Sequence, residues 1–273
     1  MVMFNSSTMS KMILPRAIIA GITFAAFTTF AAAQENPLIV EADESLQWLR
    51  AQNQYVATGN ASAEQNDMRL TANVIIAHYE TANTEEGDHD ASEVTFVEGK
   101  ENSKLTRASL TATAQNITYD IVDEYIELNG DNPTIINGED RMMAKTLITY
   151  SRKTRQITAT GDAKVLLANG QTLMGDNIKV TLNKEENDIQ TVLAEGHAIV
   201  ISPSDTGERR AEAAAMTYAS ETGLALLTGD VKILENNNLL KGDIAEIDTI
   251  TGTSTIKSLK KGQRVGGVFN PAQ

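Results

Sequence analysis

The sequence predicts an all-β fold, and three observations carry that expectation. Glycines recur at a near-regular interval, apolar residues alternate at period two around them, and the middle of the chain is rich in Thr, Ile, Val, Leu, Asn and Gly. Aromatic residues are only 5% and prolines number 5, a mixture that suits many strands and turns better than long helices. The glycines are Gly59, Gly99, Gly130, Gly161, Gly196, Gly229 and Gly262, spaced by 40, 31, 31, 35, 33 and 33 residues. Such regularity is the mark of a stacked repeat. The local text also recurs: Asn129-Gly130-Asp131, Thr160-Gly161-Asp162 and Thr228-Gly229-Asp230, with Thr58-Gly59-Asn60 as a variant.

The alternation defines one apolar face. Ile157, Ala159, Ala163, Val165 and Leu167 lie at even offsets from Gly161, while Thr158, Thr160, Asp162 and Lys164 take the other parity. Val192, Ala194, Ala198 and Val200 repeat this around Gly196, and Ala225, Leu227, Val231 and Ile233 around Gly229. A glycine on that face leaves out a side chain where the strand turns or another backbone approaches.

A second strand follows each glycine strand. It begins with Ala or Gly and places a further interior residue three and then five positions on: Ala72 with Ile75 and Ala77, Ala114 with Ile117 and Tyr119, Ala144 with Leu147 and Thr149. Gly175 with Ile178 and Val180, Ala211 with Ala214 and Met216, and Gly242 with Ala245 and Ile247 complete the series. Polar turn material links the strands, as in 185–188 and 236–238. About a dozen strands or more are expected. Residues 44–52 and 210–216 fit helical spacing as well as strand spacing, and their place in the repeat selects strand. No Gly/Ser/Pro-rich linker divides the chain, so 34–273 is expected to be one continuous β structure.

Residues 1–33 are expected to be a cleavable export signal: Lys11 and Arg16 precede an apolar run from Ala17 to Phe30, and Ala31, Ala32 and Ala33 form a small-residue cleavage pattern. That run rises to roughly 21 Å as a helix, short of the ~30 Å hydrocarbon core that a retained anchor needs. The formal charge of −13 and the lack of a large Lys/Arg cluster disfavour nucleic acid as a partner. With 0 Cys the chain holds no disulfide, zinc-thiolate site or cysteine nucleophile. His78, His89 and His197 share no metal-ligand spacing, the acidic turn 85–90 lacks the cadence of a calcium loop, and neither a Gly-x-Ser-x-Gly elbow nor a phosphate loop is present. No cofactor and no catalytic residue are expected.

An ordered series of segments carries a family resemblance. Residues 36–43 (NPLIVEAD) open the expected mature chain and 55–61 (YVATGNA) follow; 227–231 (LTGDV), 240–243 (LKGD) and 261–265 (KGQRV) close it. Together they resemble the OstA-like, LptA-type family of periplasmic lipopolysaccharide-transport proteins, over essentially the whole of 34–273. The chain departs from the family pattern in carrying extra repeat copies and an insertion at 84–90. The resemblance implies a twisted, half-open β-jellyroll whose interior takes the acyl chains of lipid A while the sugars stay in water. It also implies inner-membrane LptC-like and outer-membrane LptD-like OstA domains as partners, and head-to-tail association of copies through sheet edges.

Groove candidates are the apolar-face residues Ile157, Val165, Leu167, Ile178, Val180, Val192, Val200, Leu227, Val231 and Ile233, with Ile75, Ile117, Tyr119, Ile126, Leu128 and Leu147. On sequence alone each serves equally well as core packing or lipid contact. Lys257, Lys260, Lys261 and Arg264 suit lipid phosphates, an acidic partner edge or a solvated basic end. A different reading of the same repeat is an exported parallel β-helix acting on polysaccharide, and a third is a structural β-repeat.

Overall fold

Strands joined by short polar turns pair first with their sequence neighbours, and the computed structural model of the protein obeys that rule throughout. It describes residues 37–81, 92–185, 188–204, 207–235, 237–251, 253–259 and 264–269. The expected export signal, the insertion at 84–90, and Lys260 and Lys261 lie outside the described residues. The strands are β1 (Ile39–Glu41), β2 (Ser45–Leu49), β3 (Gln54–Gln65), β4 (Met68–Thr81), β5 (Ser92–Arg107), β6 (Leu110–Asp120), β7 (Tyr125–Asn129), β8 (Thr134–Asn137) and β9 (Asp140–Met143). They continue with β10 (Leu147–Ser151), β11 (Gln156–Leu166), β12 (Thr172–Leu182), β13 (Ile189–Ser204), β14 (Gly207–Ala219), β15 (Leu224–Glu235), β16 (Asn238–Asp248), β17 (Ser254–Lys257) and β18 (Gly266–Val268).

Every pairing is antiparallel. Four passes across the sheet are interrupted, as β1/β2, β7/β8, β9/β10 and β17/β18, so the 18 strands make fourteen passes among the described residues. Each pass pairs with the one before and the one after. Among the described residues the end passes are bonded on one side, β1/β2 to β3 and β17/β18 to β16. This hairpin meander excludes the parallel β-helix reading, whose coils stack in one direction.

Each pass bends near its middle. The uninterrupted passes carry register shifts there, for example Thr160/Ala163 on β11, Glu195/Ala198 on β13 and Thr228/Val231 on β15. Repeated glycines with positive φ make the bends of β3, β7/β8, β11, β13 and β15. Gly161 has φ +85° and a Cβ there would fall 2.8 Å from Thr146 Oγ1; Gly130 has φ +103° and its Cβ would fall 2.2 Å from Gln115 Cβ. Both the left-handed backbone and the neighbouring strand's side chain therefore demand glycine. Gly99 differs from the expectation: it lies within the strand, and the bend of β5 falls at Glu101 and Asn102, with φ +63° and +59°.

Bending folds the sheet onto itself. Among the described residues there is no α-helix, and no helix is long and apolar enough to cross a membrane. One apolar cluster nevertheless runs from Ala57 to Ile247 with its members almost wholly out of water. A single face buries itself this way only if the two halves of each pass cover one another, giving an all-β, jellyroll-like arrangement. At the bend the interior positions are small, as in the pairs Ala61 with Ala72, Ser103 with Ala114, Ala163 with Gly175 and Ala198 with Ala213. Small side chains there let the halves close.

Two ambiguous segments are strand. Residues 210–216 lie inside β14, and 44–52 form β2 followed by a single 3-10 turn at Arg50–Gln52. Two frame assignments differ from expectation. Leu147 faces outward, and Ile148 takes the interior position opposite Leu128 and Ala159. The cause is one extra residue in the break between β9 and β10, which places the interior residue four positions after Ala144 and reverses the parity. In β14 the bend follows Ala213, so Ala213 and Met216 are buried and Ala214 is exposed.

Candidate functional site

The interior face resolves into three long ladders, each contributed by one residue per pass. In the first, Trp48 opposes Tyr55, which leads through Ala77, Val97 and Tyr119 to Ile126. It continues through Tyr150, Ile157, Val180 and Val192 to Tyr218, Ala225 and Ile247. The second runs from Leu46 through Ala57, Ile75, Gly99 and Ile117 to Leu128, then through Ile148, Ala159, Ile178 and Ala194 to Met216, Leu227, Ala245 and Ile256. The third lies beyond the bend, from Val40 through Ala63, Leu70, Leu105 and Ala112 to Ile135 and Met142. From there Val165, Leu173, Val200, Ala211, Ile233 and Leu240 carry it to Gly267.

These ladders collect most of the groove candidates. Tyr119, Ile126, Ile157, Val180 and Val192 stand in the first, Ile75, Ile117, Leu128, Ile178 and Leu227 in the second, and Val165, Val200 and Ile233 in the third. Val231 sits at the bend opposite Gly242, and Leu167 packs against the core from the end of its strand. Leu147 is excluded from the interior. The sequence reading omitted most of the third ladder, including Leu70, Leu105, Ile135 and Met142. Alternation at Leu70 and Ala72 was the available signal, but the bends interrupt it before a run long enough to count develops.

Along the middle passes the ladders are closed; Ile75, Ile117, Ile148 and Ile178 are each 0% exposed. The second ladder alternates large and small over much of its length, as in Ile148, Ala159, Ile178 and Ala194, so that each large side chain settles beside a small one. At the ends the same face opens. Leu46 and Trp48 point inward from the first pass yet are 60% and 52% exposed, and Phe269 beyond β18 is 67% exposed. Thirteen spacings of ~4.8 Å between fourteen passes give the interior a length of about 60 Å.

The charged groups described below lie around this interior, whose own polar members include the ladder tyrosines and the small Ser103 at the bend of β5. Trp48 Nε1 donates to the Tyr79 hydroxyl at 2.8 Å, its ring stacks with Tyr55 at 5.7 Å, and the Arg50 guanidinium lies 4.0 Å from the indole centroid. His78 Nε2 meets Glu98 Oε1 at 2.8 Å and Lys100 Nζ meets Glu98 Oε2 at 3.1 Å. Burial pushes the Glu98 carboxyl up, but the hydrogen bonds and charges of His78 and Lys100 outweigh it and hold the group below its ordinary value. Burial pushes the Tyr119 phenol up, with the Glu124 charge adding to it, and also raises Tyr218, so these two of the ladder tyrosines stay neutral. Arg107 clasps Asp67 at 2.9 Å near a hairpin turn, and Arg152 pairs with Glu124. Among the described residues no group of three His, Asp or Glu side chains is placed to hold a metal ion. What the arrangement offers chemically is a long apolar interior whose side chains are exposed at its two ends.

Two overlapping segments, 40–156 and 147–253, match the model of a family described as LptA/(LptD N-terminal domain) LPS transport protein. The chain belongs to this LPS transport family. The first family segment opens in β1 and the second at the start of β10, so the family unit occurs twice along one uninterrupted meander. Among solved structures, LptH, the LptA homologous periplasmic component of the conserved lipopolysaccharide transport device from Pseudomonas aeruginosa, is similar at 18% identity, with 48% of this chain and 95% of that chain covered and a TM-score of 0.43. No curated protein matches the chain.

Proposed function

We propose that the protein is a periplasmic carrier and bridge that holds the lipid A part of lipopolysaccharide by its acyl chains and passes it from the inner toward the outer membrane. The observation that carries this reading is the continuity of the three apolar ladders, closed along their middle with exposed apolar side chains at both ends, in a chain of the LPS transport family. Acyl chains enter between the two halves of the bent passes at the exposed end of the interior, while the sugars remain in water. Enclosing a chain of a dozen carbons is worth roughly 10 kcal/mol at ~0.8 kcal/mol per methylene, enough to offset parting the halves locally. One residue of similar character per pass makes neighbouring positions close in free energy, so a tail slides along the interior without a deep trap. Direction comes from outside the chain.

Residues 34–273 act as one lipid-binding unit after removal of 1–33, which directs the chain to the periplasm. The edges of β1/β2 and β17/β18, unpaired among the described residues, join LptC-like and LptD-like OstA domains and further copies of this chain by strand addition. No cofactor is required. The test is a photo-crosslinking residue at Ile178 or at Val231, with Lys179 and Lys232 on the opposite face as controls. Capture of lipid A from cells at the first two positions only is the expected result. Failure at both interior positions in folded protein, or a lipid-free preparation that cleaves polysaccharide, overturns the proposal.

A further inference from the structure

The turn that leads into β11 repeats the turn that leads into β3. Trp48 opposes Tyr55 as Tyr150 opposes Ile157, so residues 50–53 correspond to 152–155. Both turns close alike: Asn53 N donates to Arg50 O at 3.3 Å and Arg155 N to Arg152 O at 3.1 Å. The last residue of each then accepts from the following pass, Tyr79 N donating to Asn53 O at 3.0 Å and Leu182 N to Arg155 O at 2.9 Å. That residue is left-handed in both, with φ +53° at Asn53 and +54° at Arg155. Asparagine tolerates this backbone and arginine does not. A residue kept against its own conformational preference points to a use for its side chain.

The surroundings of Arg155 say what that use is. It lies two residues before Ile157, on the interior parity of β11, and is bonded to Leu182, which is 0% exposed. Its Nε is shut off from water without a hydrogen-bond partner, and among the described residues its guanidinium forms no ion pair. A charged donor buried unmet is costly, so the site is complete only when an anion arrives. The residue as a whole is half-buried, which leaves a way in. Two other arginines of this region already hold carboxylates, Arg152 that of Glu124 and Arg107 that of Asp67. Besides burial, the charges of Glu124, Arg152 and Arg107 all act on the Tyr119 phenol, although Arg107 ends its pass at the opposite side of the bend. The two ends of the passes therefore approach one another here, and the turn 152–155 forms part of the lip between them.

We propose that Arg155 binds phosphate: its Nε–Nη edge takes two oxygens of a phosphate monoester on the head of a lipid whose acyl chains lie in the interior beside it. The proposal rests on the carrier reading above and adds to it the group that fixes how deeply the lipid sinks. Asn53 stands at the equivalent place in the first turn, so the site occurs at the second turn and not at the first.

Asparagine is also the natural test substitution, because the equivalent turn folds with it. In the full chain, binding of a six-chain lipid A carrying its phosphates, and of the same lipid stripped of them, is titrated in mixed micelles. The expected result is that Arg155→Asn weakens the phosphorylated lipid about tenfold and leaves the stripped lipid within about twofold of the parent. Lys153→Asn removes the same charge from the exposed tip of the turn and leaves both lipids within about twofold. Equal binding of the two lipids by the parent, an equal loss in Lys153→Asn, or an Arg155→Asn loss shared by both lipids overturns the inference. Capture of lipid at Ile178 then still upholds the carrier reading. If the parent holds neither lipid, phosphorus-31 line broadening of inorganic phosphate decides. Broadening by the parent and not by Arg155→Asn keeps the site, with free phosphate as its source, and removes the carrier reading; no broadening overturns the site.

Discussion

Replacing Ile178 by alanine separates a lipid path from an ordinary core. Ile178 is 0% exposed at the centre of the second ladder, and its neighbours there, Ala159 and Ala194, are too small to collapse into the space it leaves. An Ile→Ala change in a site that cannot relax costs about 4 kcal/mol, near the top of the usual range. If hydrocarbon tails run past this position, a bound chain refills the space. Restoring contact for about three methylenes at ~0.8 kcal/mol each returns roughly 2.4 kcal/mol, leaving a penalty of about 1.6 kcal/mol in the lipid-bound protein. Urea unfolding of both proteins, with and without a six-chain lipid A in mixed micelles, reads the four stabilities. A penalty of about 4 kcal/mol that lipid leaves unchanged, in a variant shown to bind it, refutes the reasoning because tails then never touch this part of the ladder.

Three further outcomes follow from the geometry. Gly130→Ala combines the left-handed backbone strain of ~1–2 kcal/mol with overlap against Gln115 of ~1–3 kcal/mol, so the urea midpoint falls by the equivalent of about 2–5 kcal/mol; Gly266→Ala, whose Cβ would meet nothing within 4 Å, stays within about 0.5 kcal/mol of the parent. Ile148→Asp unfolds the chain or destabilises it by at least about 3 kcal/mol, while Leu147→Asp on the outer face costs under about 1 kcal/mol, and circular dichroism melts separate the two assignments. The Glu98 carboxyl is held below its ordinary value of 4.5, so the folded chain binds this proton less readily than the unfolded chain does. Its contribution is complete above that pH and fades as pH falls through the folded-state value, so stability measured from pH 6 to pH 3 declines less steeply in Glu98→Gln than in the parent.

Much of this architecture was legible from the sequence because strand periodicity is local. Gly161 and its flanking alternation give a bent strand without knowledge of any partner, and residues 176–182 show their interior face outright. The family resemblance rested on such segments taken in order. What escaped was set by residue number across a break or by pairing across strands. One additional residue between Ala144 and Ile148 reversed a face, and the alanine run in β14 offered no chemical difference by which to choose between Ala213 and Ala214. The third ladder was invisible for a related reason: Leu70, Leu105, Ile135 and Met142 share no sequence motif and become one row only when registers on successive passes are fixed. Leu46 and Trp48 lie in a segment that fits helical spacing as well as strand spacing, and their place at an exposed end of the interior follows only from pairing, since among the described residues no further pass covers them.

The meander sets how such a protein changes length. Since every pass depends on its immediate neighbours alone, stability is close to a sum of local joints, as in solenoids. Growth by a single pass would reverse the polarity of the terminal edge and spoil its fit to whatever docks there. Growth by a hairpin preserves it. The span of this scaffold is therefore quantised in increments of about 9.6 Å, two strand spacings at a time, which makes the molecule a ruler whose graduations are whole hairpins.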